Sequence, residues 1–176
     1  MIGSRWLVHL GLWLALAAAS HLLAVWALPR AIMQLVLARV PRGEAGVHLP
    51  PPTDHTQRQI VMPSPDLLYA TCAFDLRERP LRIRADPKTP SYWSIALYAA
   101  NSDNFFVLND QAAGAAPVDL VLTRAGQAAF ALPAGARRVS APSTRGLLLM
   151  RVLVRDYAAE GALLEAARRT LRCDPL

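Results

Sequence analysis

The chain has 176 residues, 53% of them hydrophobic, and a net charge of +6. This length suits one domain plus an appendage, and so large an apolar share must be concentrated somewhere. Lys88 is the single lysine, and from Pro63 onward the arginines alternate with Asp75, Glu78, Asp86, Asp103, Asp110, Asp119 and Asp156. No basic cluster with interleaved aromatics forms, so nucleic acid is not an expected partner.

The apolar excess lies at the N-terminus. From Trp6 to Leu28 there is no Asp, Glu, Lys or Arg, and His9, Ser20 and His21 are the clearly polar side chains. At about 1.5 Å per residue such a helix crosses a hydrocarbon core of about 30 Å. Trp6 and Trp26 stand near its ends, where indoles favour the interface. Residues 1–29 are therefore expected to form a transmembrane anchor, with the lipid bilayer as first partner. A cleaved signal peptide competes, since Ala17-Ala18-Ala19-Ser20 offers small residues for a peptidase. The apolar run continues through Leu22, Leu23, Val25, Trp26 and Leu28, which favours retention. His9 and His21 would each need a partner to relay protons, and a single span supplies none. Neutral histidines near the interface or in a helix pair are the simpler reading.

Residues 30–62 read as a connector. Ala31, Ile32, Leu35, Val36 and Val40 recur at helical spacing, the pattern of a short amphipathic continuation lying on the membrane surface. Pro41-Arg42-Gly43 is expected to stop it. Pro50-Pro51-Pro52, Pro63 and Pro65 then bracket a stiff, extended spacer. His48, Asp54 and His55 fall here, but no regular element holds them for a metal, and none is expected.

Residues 63–176 carry the globular domain. Tyr69 to Leu76 reads as a first strand. Leu81, Ile83 and Ala85 alternate with Arg82 and Arg84, giving a strand with one buried and one wet face. After the turn Asp86–Pro90, both faces of Tyr92 to Tyr98 carry bulk, which marks a central strand. A loop tip at Asn101 to Asn104 leads into a short strand at Phe105 to Leu108, and Asn109 to Ala116 reads as a second loop. Pro117 to Thr123, Arg137 to Ala141 and Gly146 to Arg155 are further strands, while Thr123 to Leu132 is open between a short helix and an Ala-rich strand. Asp156 can cap a terminal helix whose apolar stripe is Leu163, Leu164, Ala167 and Leu171. Arg168, Arg169 and Arg172 in its last turns suit the helix dipole. The fold class expected is α+β, mainly β: an antiparallel β-sandwich-like domain with a C-terminal helix, behind a transmembrane helix.

Cys72 and Cys173 suit one disulfide that closes a loop of about 100 residues and stabilises by up to ~4.7 kcal/mol in the chain-entropy model. Such a bond needs an oxidising compartment and points to a periplasmic domain. The arginine count points the other way, because Arg30, Arg39 and Arg42 follow the span while Arg5 precedes it. Two unrelated buried thiols remain the alternative.

No Gly-x-Ser-x-Gly, phosphate loop, Gly-x-Gly-x-x-Gly or His-Glu-x-x-His occurs, and there is no histidine from Pro63 on. No catalytic residue, cofactor or metal is assigned, and the expectation leans away from an enzyme. The places for a ligand or partner surface are Tyr69, Trp93, Tyr98, Asn101, Asp103 and Asn104, either as a pocket or as part of the core.

Two stretches resemble the DUF1254 family, a bacterial group of unknown function. One is Asp66, Leu68, Tyr69, Asp75 and Leu76; the other is Tyr92, Trp93, Ser94, Leu97, Tyr98, Asn104 and Phe105, before a late apolar strand GLLLMRVLV. The resemblance implies a β-rich fold in the bacterial envelope and supplies no catalytic residues. Many larger members continue into a DUF1214-type β-domain, which is not in this sequence. The chain is similar to a short, membrane-anchored branch whose partner domain would be a separate DUF1214-type protein. The function expected is a single-pass inner-membrane protein displaying a non-enzymatic interaction module. The alternatives are a small-molecule or lipid-binding domain and, third, a carboxylate-dependent hydrolase.

Overall fold

A computed structural model describes residues 2–40, 46–54, 56, 63–127 and 130–176. Pro41-Arg42-Gly43, His55 and most of the polar stretch before Pro63 lie outside these residues. In order, the elements are α1 (Ile2–Arg39), β1 (Leu67–Asp75), β2 (Leu81–Ala85), β3 (Trp93–Ala99), β4 (Asn104–Asn109) and α2 (Asp110–Ala113), followed by β5 (Val118–Arg124), β6 (Arg137–Ala141), β7 (Arg145–Leu153), α3 (Tyr157–Arg168) and β8 (Arg172–Pro175).

The strands form two four-stranded sheets, β1-β7-β3-β4 and β6-β5-β2-β8. Period-2 alternation decides which side chains lie between them. Leu68, Ala70, Cys72 and Phe74 of β1, Ile95 and Leu97 of β3, and Leu148, Met150 and Val152 of β7 form one wall of the core. Leu81, Ile83, Leu120, Leu122 and Val139 form much of the other. The α+β, mainly β architecture expected from the sequence is the one observed. β3 is a central strand, flanked by β7 and β4. One pairing departs from the antiparallel scheme: β5 and β6 run parallel. The chain between Arg124 and Arg137 must therefore cross back along the sheet. Gly126, at φ 74°, makes the turn that leaves β5, and no regular element occupies the described part of this crossing.

Asp156 caps α3 as its position suggests, accepting from the N–H groups of Ala158 and Ala159 at 2.9 and 3.2 Å. α3 packs on β1 and β7, and its Leu164, with Leu171 just beyond it, joins the core between the sheets. Its buried face is Gly161, Leu164, Ala167 and Arg168. Leu163, expected in the apolar stripe, faces solvent because it sits about 100° round the helix from Leu164. Asn109 to Ala116 is not all loop: Asn109 accepts from the Ala112 N–H at 2.9 Å and caps the single turn α2.

The chain does not finish on the helix. After α3 it returns as β8 on the edge of the second sheet beside β2. Gly46, at φ 72°, lies against it, and a Cβ there would stand 2.5 Å from the Cys173 carbonyl oxygen. Val47 then enters the core, and His48 pairs with Thr71 through two backbone hydrogen bonds of 2.8 and 2.9 Å.

α1 is continuous through Pro29 and is 38 residues long, about 57 Å. Over Arg5 to Leu23 its described residues are all exposed, Trp6, Trp13 and Leu23 among them, and Trp26 is exposed too. It is long and apolar enough to cross a membrane. Its last turns behave differently. Met33, Val36, Leu37 and Val40, at i, i+3, i+4 and i+7, pack on Leu147, Ala73 and Tyr98 of the first sheet. Of the stripe expected from the sequence, Val36 and Val40 thus turn to the domain together with Met33 and Leu37, while Ala31, Ile32 and Leu35 remain exposed.

Candidate functional site at the helix–sheet junction

Where α1 meets the first sheet, two turns converge on it. The β3–β4 turn is closed by Ser102 N–H to Ala99 O and Ala99 N–H to Asp103 O, both 2.9 Å, and by the Asn101 amide donating to the Asp103 carboxylate at 2.5 Å. Ser102 holds φ 70°, a left-handed conformation that a tight turn imposes. Its hydroxyl donates to the Pro29 carbonyl at 2.9 Å, tying the turn to the helix. In the β6–β7 turn, the Ser143 hydroxyl accepts from the Ala100 N–H at 2.9 Å and donates to the Arg145 carbonyl at 2.7 Å.

Between these turns and the helix lies an open cleft of about 340 Å³. Its polar lining is Arg30, Gln34, Asn101, Asp103 and Ser143. Arg30 stacks its guanidinium 4.5 Å from the Trp26 ring centroid and donates one N–H to the Trp26 carbonyl at 2.6 Å. Arg30 and Asp103 line the same cleft without forming an ion pair, and Arg30 has no carboxylate partner among the described residues.

The sequence candidates separate. Asn101 and Asp103 line the cleft, and Asn104 opens β4, exposed. Trp93 is 5% exposed and points into the core. Tyr98, on the opposite face of β3, packs beneath α1 with Met33 and Leu37. Tyr69 is held at the far end of β1, its hydroxyl accepting from the Ser64 N–H at 3.0 Å. Arg30, Gln34 and Ser143 complete the cleft. Sequence spacing carried no signal for them, because they come from a helix and a turn more than 100 residues apart.

Cys72 of β1 and Cys173 of β8 are both buried and are free thiols, so the expected disulfide is not formed in the structure. They project into the core from opposite sheets, and they are neighbours. Burial pushes the Cys173 thiol well above its ordinary value, with a hydrogen bond to Cys72 and the Cys72 charge acting in the same direction. The two thiols thus meet between the sheets, Cys173 being carried by β8 beyond the terminal helix.

Arg168 lies in the last turn of α3, as the sequence suggests, and it is 3% exposed. Its fork holds Glu165 at 2.5 and 2.8 Å, and its remaining terminal nitrogen donates to the carbonyls of Pro50 and Tyr69, each at 2.7 Å. This one side chain joins α3, β1 and the chain leading into the domain. A polar row also crosses the outer face of the first sheet, where register aligns Tyr69, Arg151, Ser94 and Asn109.

A second cleft of about 340 Å³ lies at the end of the other sheet, with Arg84, Asp86, Asp119, Thr170 and Arg172 among its walls. Its carboxylates are paired, while Arg172 donates to the carbonyls of Arg169 and Leu171. Asp119 pairs with Arg82 through two bonds of 2.7 and 3.0 Å, and Arg84 pairs with Asp174 at 2.8 Å. Hydrogen bonding to Arg82 holds the Asp119 carboxyl below the usual carboxylate range. Asp75 is similarly lowered, mainly by its hydrogen bonds to Arg77. Carboxylates held charged in this way serve poorly as proton donors near neutrality. Among the described residues no three His, Cys, Asp or Glu side chains gather to hold a metal.

A family model described as "Protein of unknown function (DUF1254)" matches residues 45–175. Among solved structures, the chain is similar to the VPA0106 protein from Vibrio parahaemolyticus, with a TM-score of 0.58 at 12% identity. That match covers 64% of this chain and 28% of the other. It is also similar to a putative uncharacterized protein from Burkholderia cenocepacia, with a TM-score of 0.50 at 20% identity, covering 82% of this chain and 39% of that one. The chain spans well under half the length of either, and at these identities the likeness concerns the fold. No curated protein matches the chain.

Proposed function

The chain belongs to the DUF1254 family, and on that premise we propose that it is a single-pass membrane protein whose β-domain docks a protein partner at the envelope. The observation that carries this reading is the division of labour within α1. Its apolar length is exposed on every side from Trp6 to Leu23 and mostly exposed to Leu28, while its last turns are locked to the first sheet by Met33, Leu37 and the Ser102–Pro29 bond. A helix built this way is an anchor and a rigid strut together. It holds the domain at a set angle to the bilayer, which suits docking in a fixed orientation.

The partner reading draws on the sheet edges. β4 pairs only with β3, and Val107 on it is 52% exposed. An unpaired edge offers main-chain hydrogen bonds to a partner strand. The same fold occurs inside much longer proteins, and a DUF1214-type protein is the partner that the family resemblance suggests. The periplasmic side rests on the family resemblance, which implies an envelope location, since Cys72 and Cys173 are free thiols.

A photo-crosslinker at Val107 of the full-length chain in intact cells tests this reading, with one at Arg172 on β8 as the control. A crosslink to a DUF1214-type protein from position 107 alone is expected. Crosslinks from neither position, with the chain in the membrane fraction, would overturn the partner reading. Protease added to intact spheroplasts tests the periplasmic side: a domain cleaved only after the membrane is opened would remove it.

A further inference from the structure

The level at which α1 leaves its apolar exposure is also the level of the junction cleft. Leu28 is exposed, Pro29 accepts the Ser102 hydroxyl, Arg30 lines the cleft, and by Met33 the helix is buried against the sheet. With a hydrocarbon core of about 30 Å beginning near Trp6, the opposite boundary falls within a turn of Trp26, where an interfacial indole belongs. The headgroup layer beyond it is about 6 Å thick. Arg30 and the β3–β4 turn, bonded to Pro29, fall in that layer, and Gln34 stands one helical turn above Arg30.

The cleft carries charge of both signs held apart. The Arg30 guanidinium is fixed over Trp26 with one N–H on the Trp26 carbonyl, and the rest of its fork has no carboxylate partner among the described residues. Asp103 is oriented by the Asn101 amide. The two charges share a cleft of about 340 Å³ without pairing, a volume within the range of small-molecule sites. A guanidinium fork suits a phosphate, and an exposed carboxylate suits a primary ammonium. Gln34 and Ser143 add neutral polar groups between them. A headgroup with phosphate and ammonium joined by a short linker matches this order of charges, whereas a purely anionic headgroup would meet Asp103 as a like charge.

We propose that the cleft binds the headgroup of an aminophospholipid in the adjoining leaflet, with its phosphate on Arg30 and its ammonium on Asp103. The proposal rests on the membrane-anchor reading. It adds that the domain reads the lipid next to its own anchor, and that a bound lipid bridges α1 and the β3–β4 turn.

The test uses the full-length chain in nanodiscs of phosphatidylcholine with equal minor fractions of phosphatidylethanolamine and phosphatidylglycerol, released into native mass spectrometry. Retention of phosphatidylethanolamine over phosphatidylglycerol is expected. Arg30→Gln and Asp103→Asn should each lower it about tenfold, the scale of one charge-assisted contact. Arg30→Lys, which keeps the charge without the fork, should fall between. Unchanged melting temperatures show that these variants are folded. Equal retention of both lipids, with Asp103→Asn silent, would overturn the proposal in favour of a simple anion site. Binding of soluble phosphoethanolamine with no lipid retained would overturn the lipid source. A chain that stays in the membrane fraction but retains no lipid sinks the headgroup site and leaves the anchor standing. A chain absent from that fraction sinks both.

Discussion

The hydroxyl of Ser102, at the tip of the β3–β4 turn, donates to the carbonyl of Pro29 in α1, 73 residues earlier and 2.9 Å away. A carbonyl has two lone pairs, so this bond adds to the helix without displacing its own ladder. The contact sets the angle between span and domain. Removing it as Ser102→Ala should cost about 1 kcal/mol of docking. Ser102→Gly loses the same hydroxyl but relieves the φ of 70°, and should recover much of that cost. Limited proteolysis of the helix–domain junction in both variants reads the difference. Equal sensitivity to wild type would show that the bond does not hold the junction.

Arg168→Ala should be among the most destabilising single changes in the domain, at about 3–5 kcal/mol. It takes from Glu165, at 19% side-chain exposure, its two short bonds, leaving the looser Arg169 and Tyr157 contacts at 3.7 and 3.4 Å, and it removes the donor to the Pro50 and Tyr69 carbonyls. Arg168→Lys should rescue only part, since an ammonium cannot hold a carboxylate as a fork and two carbonyls at once. Urea denaturation of the detergent-solubilised chain measures both.

Gly146→Ala should also cost several kcal/mol, of the order of an overpacked core site. A Cβ at Gly146 would run into the Tyr98 carbonyl oxygen and the Phe74 ring, neither of which can retreat from the paired strands. The expected readout is a loss of folded yield and a lower denaturation midpoint. A neutral result would mean that the three strands part more readily than their register implies.

For the reduced protein, Cys173 makes stability fall on the alkaline side. Its folded pKa is raised above 9.0 by burial. Its contribution is therefore complete below the unfolded thiol's pKa and is lost as pH rises from there through the raised folded value. Oxidation to a Cys72–Cys173 disulfide should abolish this alkaline loss and raise the denaturation midpoint. Denaturation at pH 7 and pH 10, with and without reductant, distinguishes the states.

At the acid end the sign reverses for Asp119 and Asp75, whose carboxyls lie below 3.8 through Arg82 and Arg77. Their contribution is present above that value and is lost as pH falls through the lowered pKa. Asp119→Asn should flatten the stability profile below about pH 4, leaving the remaining acid loss to other groups. An unchanged acid limb would remove the Arg82–Asp119 pair as a source of acid sensitivity.

Much of this protein is written in local pattern. Alternation at Leu81–Ile83–Ala85 and Leu148–Met150–Val152, the Asp156 cap and the uncharged run from Trp6 to Leu28 each depend on neighbours a few residues away. The strands, the terminal helix and the long apolar helix could therefore be read from the sequence alone. What required the tertiary structure was every choice among distant partners. A four-residue β8 is too short to announce itself, and it forms because β2 presents a free edge. β6 pairs parallel with β5 because of where the crossing chain returns. The face of α1 carrying Met33 and Leu37 could equally have met lipid, and only the fold supplies Leu147 and Tyr98 to cover it. Arg168 is buried for the same reason, since its carbonyl partners come from residues 50 and 69. The junction cleft combines a helix, a hairpin tip and a turn, so periodicity, which reports a residue's own element, carries no trace of it.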